Sequence, residues 1–267
     1  MISLIVATVG NKTDELRRLF ESLERQRFTD YEVIVVSQDN HDVVGGIVSE
    51  FRGTALQVRL NRRGLAYARN EGIRYLSQRS GIVSFPDDDC WFPEDGLSII
   101  AESFNQNPSE VLSFRIYDPL TNNFYKGYPE RPDGNLSWTQ IFKKCSIELF
   151  FRLDVVKKGI RFDERFGLGG NYPSGEENIF LADVKHAGMT ISYLPVTVIH
   201  HLKPQRKSRL SFAQLMSKGP MFNRMFNKGT ALILLTAFII KKRSFAEHGW
   251  AVFNLYRETL KFNKKAD

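Results

Sequence analysis

The sequence predicts an α/β fold in which a doubly wound, mostly parallel sheet is flanked by helices and followed by a C-terminal helical extension. Short apolar runs alternate with segments of helical periodicity along most of the chain, as they do in doubly wound sheets. Polar residues directly follow several of these runs. The composition then changes near residue 204, so we expect one domain at 1–203 and the extension at 204–267.

The first half of the domain supplies most of the predicted strands. Ser3–Val9 and Tyr31–Ser37 are continuous apolar runs typical of buried parallel strands, and Leu56–Leu60 alternates like a shorter strand. Between the first two runs, apolar residues recur at the spacing of one helix face, namely Leu16, Leu19, Phe20 and Leu23. This order of elements predicts parallel neighbours joined by helical crossovers.

The remaining elements follow the same logic. Gly64–Ile73 begins a helix with small residues on one side, and Ile82–Phe85 is a further buried strand. Asn178–Gly188 predicts a helix, and Tyr193–Ile199 predicts a late strand. Residues 118–135 are rich in Pro, Gly, Asn and Tyr without a clear period, which predicts a loop or hairpin.

Three consecutive carboxylates, Asp87, Asp88 and Asp89, follow the strand that ends at Phe85. Like charges at one strand end repel one another unless a cation lies among them. Carboxylate oxygens favour a hard ion, so Mn²⁺ or Mg²⁺ is expected at Asp87 and Asp89. The alternative is a solvated Asp-rich turn that caps the next helix. Because ligands bind beyond the carboxyl ends of parallel strands, Asp39 is expected at the same rim.

Several motifs follow one another in a fixed order. They are Gly64-x-Ala66-x-Ala68-Arg69-Asn70-x-Gly72, Phe85-x-Asp87-Asp88-Asp89, Gly159-Ile160-Arg161-Phe162-Asp163-Glu164, Gly175-Glu176-Glu177-Asn178 and Val198-Ile199-His200. Together they resemble the family 2 glycosyltransferases of the GT-A fold, over about residues 1–201. Two departures are that Ser37-Gln38-Asp39-Asn40 stands where the family has Asp-Asp-Gly-Ser, and Glu176-Glu177 where it has Glu-Asp. The absence of Gln-x-x-Arg-Trp indicates a non-processive enzyme.

This resemblance implies a metal-dependent, inverting transfer of a hexose from a nucleoside diphosphate sugar, with a UDP-sugar favoured. The acceptor would be a hydroxyl of a glycan or lipid-linked glycan precursor in cell-surface polysaccharide synthesis. The implied metal ligands are Asp89, Asp87 and His200, with His201 as the alternative to His200. The implied nucleotide-sugar contacts are Thr8, Asp39, Arg69, Asn70, Asp87 and Asp88, with Gln38 as the alternative to Asp39. Arg69 could equally form a structural ion pair with the acidic cluster.

The implied catalytic pair is Glu177 and Glu176, of which Glu177 is favoured as the general base. An inverting transfer needs a carboxylate on the acceptor side, opposite the leaving group. Both glutamates precede a helix, and a helix N-terminus stabilises negative charge, so we expect them to be ionised. The alternative is that they only complement the helix dipole. The preceding Gly167–Ser174 loop is expected to be flexible and to close over substrate.

The extension carries the positive charge of the chain. Residues 201–267 contain fourteen Lys or Arg and three Asp or Glu, whereas the whole chain has a net charge of +7. Gly229–Ile240 is a twelve-residue apolar run, too short to span a bilayer, closed by Lys241, Lys242 and Arg243. This pattern predicts an interfacial helix on an anionic membrane. The alternative is a helix packed on the domain or in an oligomer.

Other properties narrow the classes of function. Two cysteines and the absence of a signal-peptide pattern fit a cytoplasmic protein, peripheral on the inner face of the membrane if the extension binds lipid. No nucleic-acid-binding module is recognisable. A sugar nucleotidyltransferase would carry a Gly-rich phosphate loop near the N-terminus, and Thr8-Val9-Gly10-Asn11-Lys12 is not one. A non-catalytic nucleotide-sugar-binding or membrane-scaffold protein is the third alternative.

Overall fold

The computed structural model describes residues 1–203, 211–241 and 249–264. Within these ranges, an eight-stranded sheet is flanked by helices. The strands are β1 (Ile2–Thr8), β2 (Tyr31–Ser37), β3 (Ala55–Arg59), β4 (Ile82–Ser84), β5 (Val111–Asp118), β6 (Asn123–Phe124), β7 (Leu149–Arg152) and β8 (Ile191–His200). The helices are α1 (Thr13–Glu24), α2 (His41–Glu50), α3 (Leu65–Ile73), α4 (Gly96–Gln106), α5 (Trp138–Ile141), α6 (Leu153–Lys157), α7 (Glu176–His186), α8 (Phe212–Met216), α9 (Lys218–Met225), α10 (Lys228–Lys241) and α11 (Gly249–Lys261).

The strand order is β3-β2-β1-β4-β7-β5-β6, with β8 also paired to β5. Strand β1 is parallel to both β2 and β4, β2 is parallel to β3, and β5 is parallel to β8. Strand β7 lies antiparallel between β4 and β5. The mostly parallel sheet predicted from the sequence is therefore confirmed, and the carboxyl ends of β1, β2 and β4 share one edge.

Residues 118–135 begin as a hairpin. Strand β6 pairs antiparallel with the end of β5, where Tyr117 is opposite Phe124. The Asp118 carboxylate accepts hydrogen bonds from the backbone N–H groups of Leu120 and Lys203. The polar turn predicted for this segment is therefore fixed by one buried carboxylate.

The two faces of the sheet bury separate apolar clusters. One cluster lies under α1, α2 and α4 and contains Leu4, Leu19 and Leu97. The other contains Ile5 of β1 and Phe180 of α7 together with Leu235 of α10. Burial of apolar side chains is the dominant favourable term in folding. Because one cluster joins β1, α7 and α10, the extension shares the hydrophobic core of residues 1–203.

The predicted apolar run Gly229–Ile240 lies within α10. Ala231, Leu235 and Ile239 point inward at helical spacing and are buried. Among the described residues, no helix has both the length and the apolar character that crossing a membrane requires. Lys242 and Arg243, which close the run in the sequence, lie outside the described residues.

Candidate active site

A cavity of about 470 Å³ opens at the carboxyl ends of β1 and β4. The parallel pairing of these strands continues as a bridge between Ala7 and Asp87, which places Thr8 beside the acidic cluster. The residues that line the cavity include Thr8, Lys12, Gln38, Arg63, Gly64, Leu65, Asp87, Asp88, Asp89, Leu168, Gly169 and His201. Thr8 and all three aspartates therefore meet where the sequence predicted a binding site.

Each aspartate of the cluster has its own partners. The Thr8 hydroxyl donates to Asp88 Oδ2 at 2.7 Å. Lys12 Nζ lies 2.6 Å from Asp89 Oδ2 and 3.5 Å from Asp88 Oδ1. Burial alone would raise the pKa of Asp89, but hydrogen bonds from His201 and Lys12 outweigh it and lower that pKa well below its usual range. Asp89 therefore stays ionised, whereas desolvation raises the pKa of Asp88.

The two histidines that end β8 face different surroundings. The His200 ring packs edge-on against Trp91 and lies 5.9 Å from the Tyr117 ring centroid, away from the cavity lining. His201 Nε2 lies 3.0 Å from Asp89 Oδ1. Burial alone would lower the pKa of His201, but Asp89 raises it overall. The structure thus brings the alternative His201, rather than His200, to the acidic cluster.

Arg69 is a buried cation beneath the cavity. Its side chain is 2% exposed, and Nη2 donates to Asp87 Oδ1 at 3.2 Å and to Ser146 Oγ at 2.8 Å. Nη1 lies 3.6 Å from Glu176 Oε1 and has no hydrogen-bond partner in the described residues. Arg69 therefore forms the structural ion pair with Asp87 that was the alternative to a nucleotide contact. The same guanidinium also joins the acidic cluster to Glu176.

Two other predicted nucleotide contacts lie outside the cavity lining. Asn70 donates to the backbone carbonyl of Phe162 at 2.9 Å and accepts from the Phe162 N–H, so it clamps α3 to the motif that begins at Gly159. Asp39 is paired with the exposed Arg63 at the cavity mouth. Gln38 does line the cavity, and its Oε1 accepts a 2.7 Å hydrogen bond from the Gly64 N–H.

Glu176 and Glu177 lie in the first turn of α7, whereas the sequence predicted that the helix begins after them at Asn178, and their environments differ. Glu176 is buried beside Arg69, whereas Glu177 is partly exposed. Desolvation and the neighbouring Glu176 raise the pKa of Glu177 to about 8, although its own backbone N–H, Arg69 and Lys218 act in the opposite direction. The expectation that this carboxylate is ionised is therefore not met at neutral pH, because desolvation and the like charge of Glu176 outweigh the hydrogen bond from the helix N-terminus and the two cations.

Sequence reasoning did not identify two cations of this region, Lys12 and Lys218. Lys12 lies four residues after Thr8. The segment from Thr8 to Lys12 served only to exclude a Gly-rich phosphate loop, and nothing in it pointed to a role for Lys12. Lys218 begins α9 in the extension, and desolvation lowers its pKa despite the opposing effect of Glu177 and Glu176. The sequence of the extension shows only that cations alternate with apolar residues. That pattern does not predict that Lys218 lies near Glu177.

The Gly167–Ser174 loop forms part of the wall. The Leu168 carbonyl accepts a 2.8 Å hydrogen bond from the Leu65 N–H, at the start of α3. A side chain at Gly169 would lie 3.1 Å from the Gly64 Cα, and Gly169 has φ +83°. Glycine is therefore required where the loop meets the opposite wall.

The donor set fits a hard divalent cation. Carboxylate oxygens and an imidazole nitrogen are ligands that Mn²⁺ accepts, and Mg²⁺ prefers oxygen. Asp88 and Asp89 already hold a cation between them, the Lys12 ammonium. Among the described residues, no three acidic, histidine or cysteine side chains are arranged so that together they could hold a metal ion.

Solved structures share this architecture. Crystal structures of S. aureus TarS 1–349 align with 98% of this chain and 90% of theirs, at a TM-score of 0.67 and 17% sequence identity. One such structure, described as a complex with UDP-GlcNAc, aligns with 92% of this chain and 72% of its own, at a TM-score of 0.66 and 19% identity. These similarities show the fold and confirm a GT-A-like α/β architecture.

Sequence comparison identifies the family. The sequence model of Glycosyl transferase family 2 matches residues 3–163, and the chain belongs to this family. Glycosyltransferase GlyA of Streptococcus pneumoniae serotype 4 is 30% identical over 116 residues, covering 42% of this chain and 16% of GlyA. An uncharacterised glycosyltransferase of Haemophilus influenzae is 33% identical over 120 residues, covering 45% of this chain and 38% of that protein. The matched regions thus span less than half the length of both relatives.

Proposed function

We propose that the protein transfers a hexose, with inversion, from a nucleoside diphosphate sugar to a hydroxyl group of an acceptor. The observation that carries this proposal is the acidic cavity at the carboxyl ends of β1 and β4, with Arg69 linking its floor to Glu176. A UDP-sugar is the proposed donor. Family membership supports the reaction class, and the UDP-GlcNAc complex of S. aureus TarS supports the nucleotide.

On the donor side, the proposed contacts are Thr8, Gln38, Asp87, Asp88 and Asp89. Asp89, Asp87 and His201 would hold Mn²⁺ or Mg²⁺, with His201 taking the part first assigned to His200. The ion, when bound, supplies positive charge for the departing diphosphate. Arg69 lies too deep to be a free diphosphate ligand, and its contribution is to orient Asp87.

On the acceptor side, Glu177 is the proposed general base. A base must have a free carboxylate within reach of the acceptor hydroxyl, and its pKa is best placed near the working pH. Glu176 is engaged with the buried Arg69, whereas Glu177 has a pKa raised to about 8 and no ion-pair partner within 4.0 Å among the described residues. Glu177 would become neutral on accepting the acceptor's proton, and its ionised form would be restored when that proton passes to solvent.

The test is a donor assay with purified protein. UDP-sugars are screened by thermal shift, and the stabilising donor is then assayed for release of UDP with and without Mn²⁺. Release that depends on Mn²⁺ and accelerates with an added acceptor is expected. A nucleotidyltransferase would instead release pyrophosphate from a nucleoside triphosphate and a sugar phosphate, and a non-catalytic binding protein would be stabilised by the donor without turnover.

The acceptor is proposed to be a lipid-linked precursor of a surface polysaccharide, reached from the cytoplasmic side of a membrane. The extension supports this proposal through what we call its outer face, formed by Ile233, Ile240, Trp250, Phe253 and Leu260. Each of these side chains is more than half exposed. The Thr236 and Tyr256 hydroxyls, 2.7 Å apart, join α10 to α11 beside this face.

Exposed cations surround the outer face, among them Lys241, Arg257 and Lys261. Apolar side chains flanked by cations suit insertion between anionic headgroups. The opposite faces of α10 and α11 pack on the domain through Leu235 and Leu255. The alternative of a helix packed on the domain therefore applies to these inner faces. We therefore propose an anionic lipid surface as the partner of the outer face.

Vesicle sedimentation tests this surface. The protein is expected to sediment with phosphatidylglycerol vesicles at low salt and less at high salt. Changing Trp250 and Phe253 to Ser should weaken binding at least about tenfold, since each ring loses burial in lipid. Changing Lys241, Lys242 and Arg243 to Ser should remove up to about 3 kcal/mol, roughly a hundredfold.

The matched control changes Leu120 and Phe124, two exposed apolar residues of the β5–β6 hairpin, to Ser. This control should bind vesicles like the parent protein. If the parent does not sediment at low salt, the membrane proposal is wrong. Light scattering of the Trp250 and Phe253 variant then shows whether a second copy covers the face instead.

A further inference from the structure

The Lys12 side chain lies beside one oxygen of Asp88 and one of Asp89 for which the described residues offer no other side-chain partner. Asp88 Oδ2 accepts from Thr8, and Asp89 Oδ1 faces His201. The two remaining oxygens, Asp88 Oδ1 and Asp89 Oδ2, both face Lys12 Nζ, at 3.5 and 2.6 Å. The ammonium therefore neutralises these two oxygens of Asp88 and Asp89.

Asp89 is one of the proposed metal ligands, and a divalent ion bound to its Oδ2 would need the space that Lys12 Nζ occupies. Mg²⁺ binds oxygens at about 2.0–2.1 Å and Nζ lies 2.6 Å from Asp89 Oδ2, so an ion on that oxygen would lie less than about 5 Å from the present Nζ position. Two cations at such a distance repel strongly even at the effective dielectric of a protein surface. The ammonium and the ion therefore exclude one another.

Lys12 is free to leave. Its side chain is 44% exposed, and all of its described charged partners belong to the cluster. Asn11 and Lys12 line the cavity together with Arg63 on its far side, so the departing ammonium remains within the space available to a diphosphate. A flexible four-carbon stem lets a lysine move its charge by several ångströms without moving the backbone.

We propose that Lys12 is an exchangeable counter-ion of this site. It neutralises Asp88 and Asp89 when no divalent ion is bound, and it moves onto the diphosphate of the donor when an ion takes its place. The second half rests on the proposed function, because it needs a diphosphate in the cavity. Lys12 thus competes with the ion in the nucleotide-free protein and is a binding residue for the donor.

This exchange has a signature in which one substitution has opposite effects on two ligands. In the nucleotide-free protein, Lys12→Met removes the competitor, so Mn²⁺ should bind about tenfold more tightly, as expected for loss of a unit charge next to the site. With saturating Mn²⁺, the same variant lacks the ammonium that contacts the diphosphate, so UDP should bind about tenfold more weakly. A lysine with only a structural role would shift neither affinity in this way.

The experiment titrates Mn²⁺ by electron paramagnetic resonance without nucleotide, and UDP by calorimetry with Mn²⁺ present. Lys12→Gln is the second variant, since it removes the charge but keeps a polar side chain. Arg63→Met is the matched control, because Arg63 lines the same cavity but pairs with Asp39. Arg63→Met should leave Mn²⁺ affinity unchanged.

The proposal is overturned if Lys12→Met and Lys12→Gln bind Mn²⁺ no more tightly than the parent, including the case in which no protein binds it. It is also overturned if UDP affinity with Mn²⁺ is unchanged in both variants while the parent binds UDP. Failure of the parent to bind UDP refutes the proposed donor, and the nucleotide-free Mn²⁺ titration still tests the competition alone.

Discussion

The two carboxylate groups of the candidate active site are held in opposite ways. On the donor side, Asp89 is surrounded by the Lys12 ammonium and His201, which lower its pKa. On the acceptor side, Glu177 has burial and the like charge of Glu176 against it, which raise its pKa to about 8. One fold thus holds a carboxylate with a lowered pKa and another with a raised pKa in adjacent regions.

This difference teaches that proximity to charge does not decide the role of a carboxylate. Direct hydrogen bonds from cations favour the ionised form, whereas desolvation without such bonds favours the protonated form. A ligand site for a cation or diphosphate needs the first environment, and a general base needs the second. Arg69 belongs to both regions, because it contacts Asp87 and Glu176.

The largest expected effect comes from Glu177→Gln. The amide is nearly isosteric but cannot accept a proton, so the rate of sugar transfer should fall about 10²- to 10⁴-fold, the usual contribution of a general base. UDP affinity, measured by calorimetry, should change little, because the change leaves the donor cavity intact. If Glu176→Gln produces the rate loss instead, the contrast between the two glutamates has been assigned the wrong way round.

The second prediction compares a buried and an exposed ion pair with the same substitution. Arg69→Met leaves the buried Glu176 without its cation, so the free energy of unfolding in urea should fall by about 3–5 kcal/mol. Arg63→Met breaks the exposed pair with Asp39 and should leave it nearly unchanged. Equal effects of the two substitutions would show that burial does not separate these pairs.

The third prediction uses the pKa of Glu177. Since the base must be ionised in the free enzyme, kcat/KM for the acceptor should rise about tenfold per pH unit below pH 8 and level off above it. Stability has the opposite trend: the folded protein binds this proton more tightly than the unfolded chain, so the free energy of unfolding falls as pH rises through about 8.

Rates measured with Mg²⁺ between pH 5.5 and 9.5 check this profile. Lys218→Met removes a cation near Glu177 and should move the inflection to higher pH. Glu177→Gln should abolish the inflection. A parent profile that levels off near pH 5 would contradict the proposed difference between Glu177 and Asp89.

The smallest expected effect concerns the loop that supports the glutamates. Gly167 has φ +94°, and a Cβ there would lie 3.0 Å from the Glu176 carboxyl carbon. Gly167→Ala should therefore lower the free energy of unfolding by about 1–2 kcal/mol, through backbone strain and displacement of Glu176. Gly127→Ala, where a Cβ meets nothing within 4 Å, should be close to neutral. Urea unfolding of the two variants measures the difference.

The sequence predicted the parallel half of the sheet because its strands are continuous apolar runs. Strand β2 has the predicted bounds, and β1 and β3 are displaced by one residue. Helix α2 was not predicted, since Gly45 and Gly46 interrupt its apolar pattern. The antiparallel insertion of β7 between β4 and β5 was not predicted either, because pairing between distant segments leaves no local signal.

At the site, the sequence predicted which elements meet but not which atoms are paired. Thr8 and the aspartates could be placed because they follow strands of one parallel group. The choice between His200 and His201 depended on the local register of β8, which shifts twice against β5 between Ser113 and Ile116. The pKa of Glu177 depended on desolvation and on the like charge of Glu176, and helix-dipole reasoning does not include the desolvation.

The contact between the extension and the glutamate turn has a consequence for how such chains can be recombined. A Cβ at Gly175 would lie 2.7 Å from Met221 Sδ, and the Tyr172 and Phe262 rings pack 5.8 Å apart. The turn that presents Glu177 is therefore shaped by residues more than forty positions downstream. In a chimera between two relatives, the C-terminal segment and residues 166–178 should therefore be taken from the same parent. If they come from different parents, their contacting surfaces do not match.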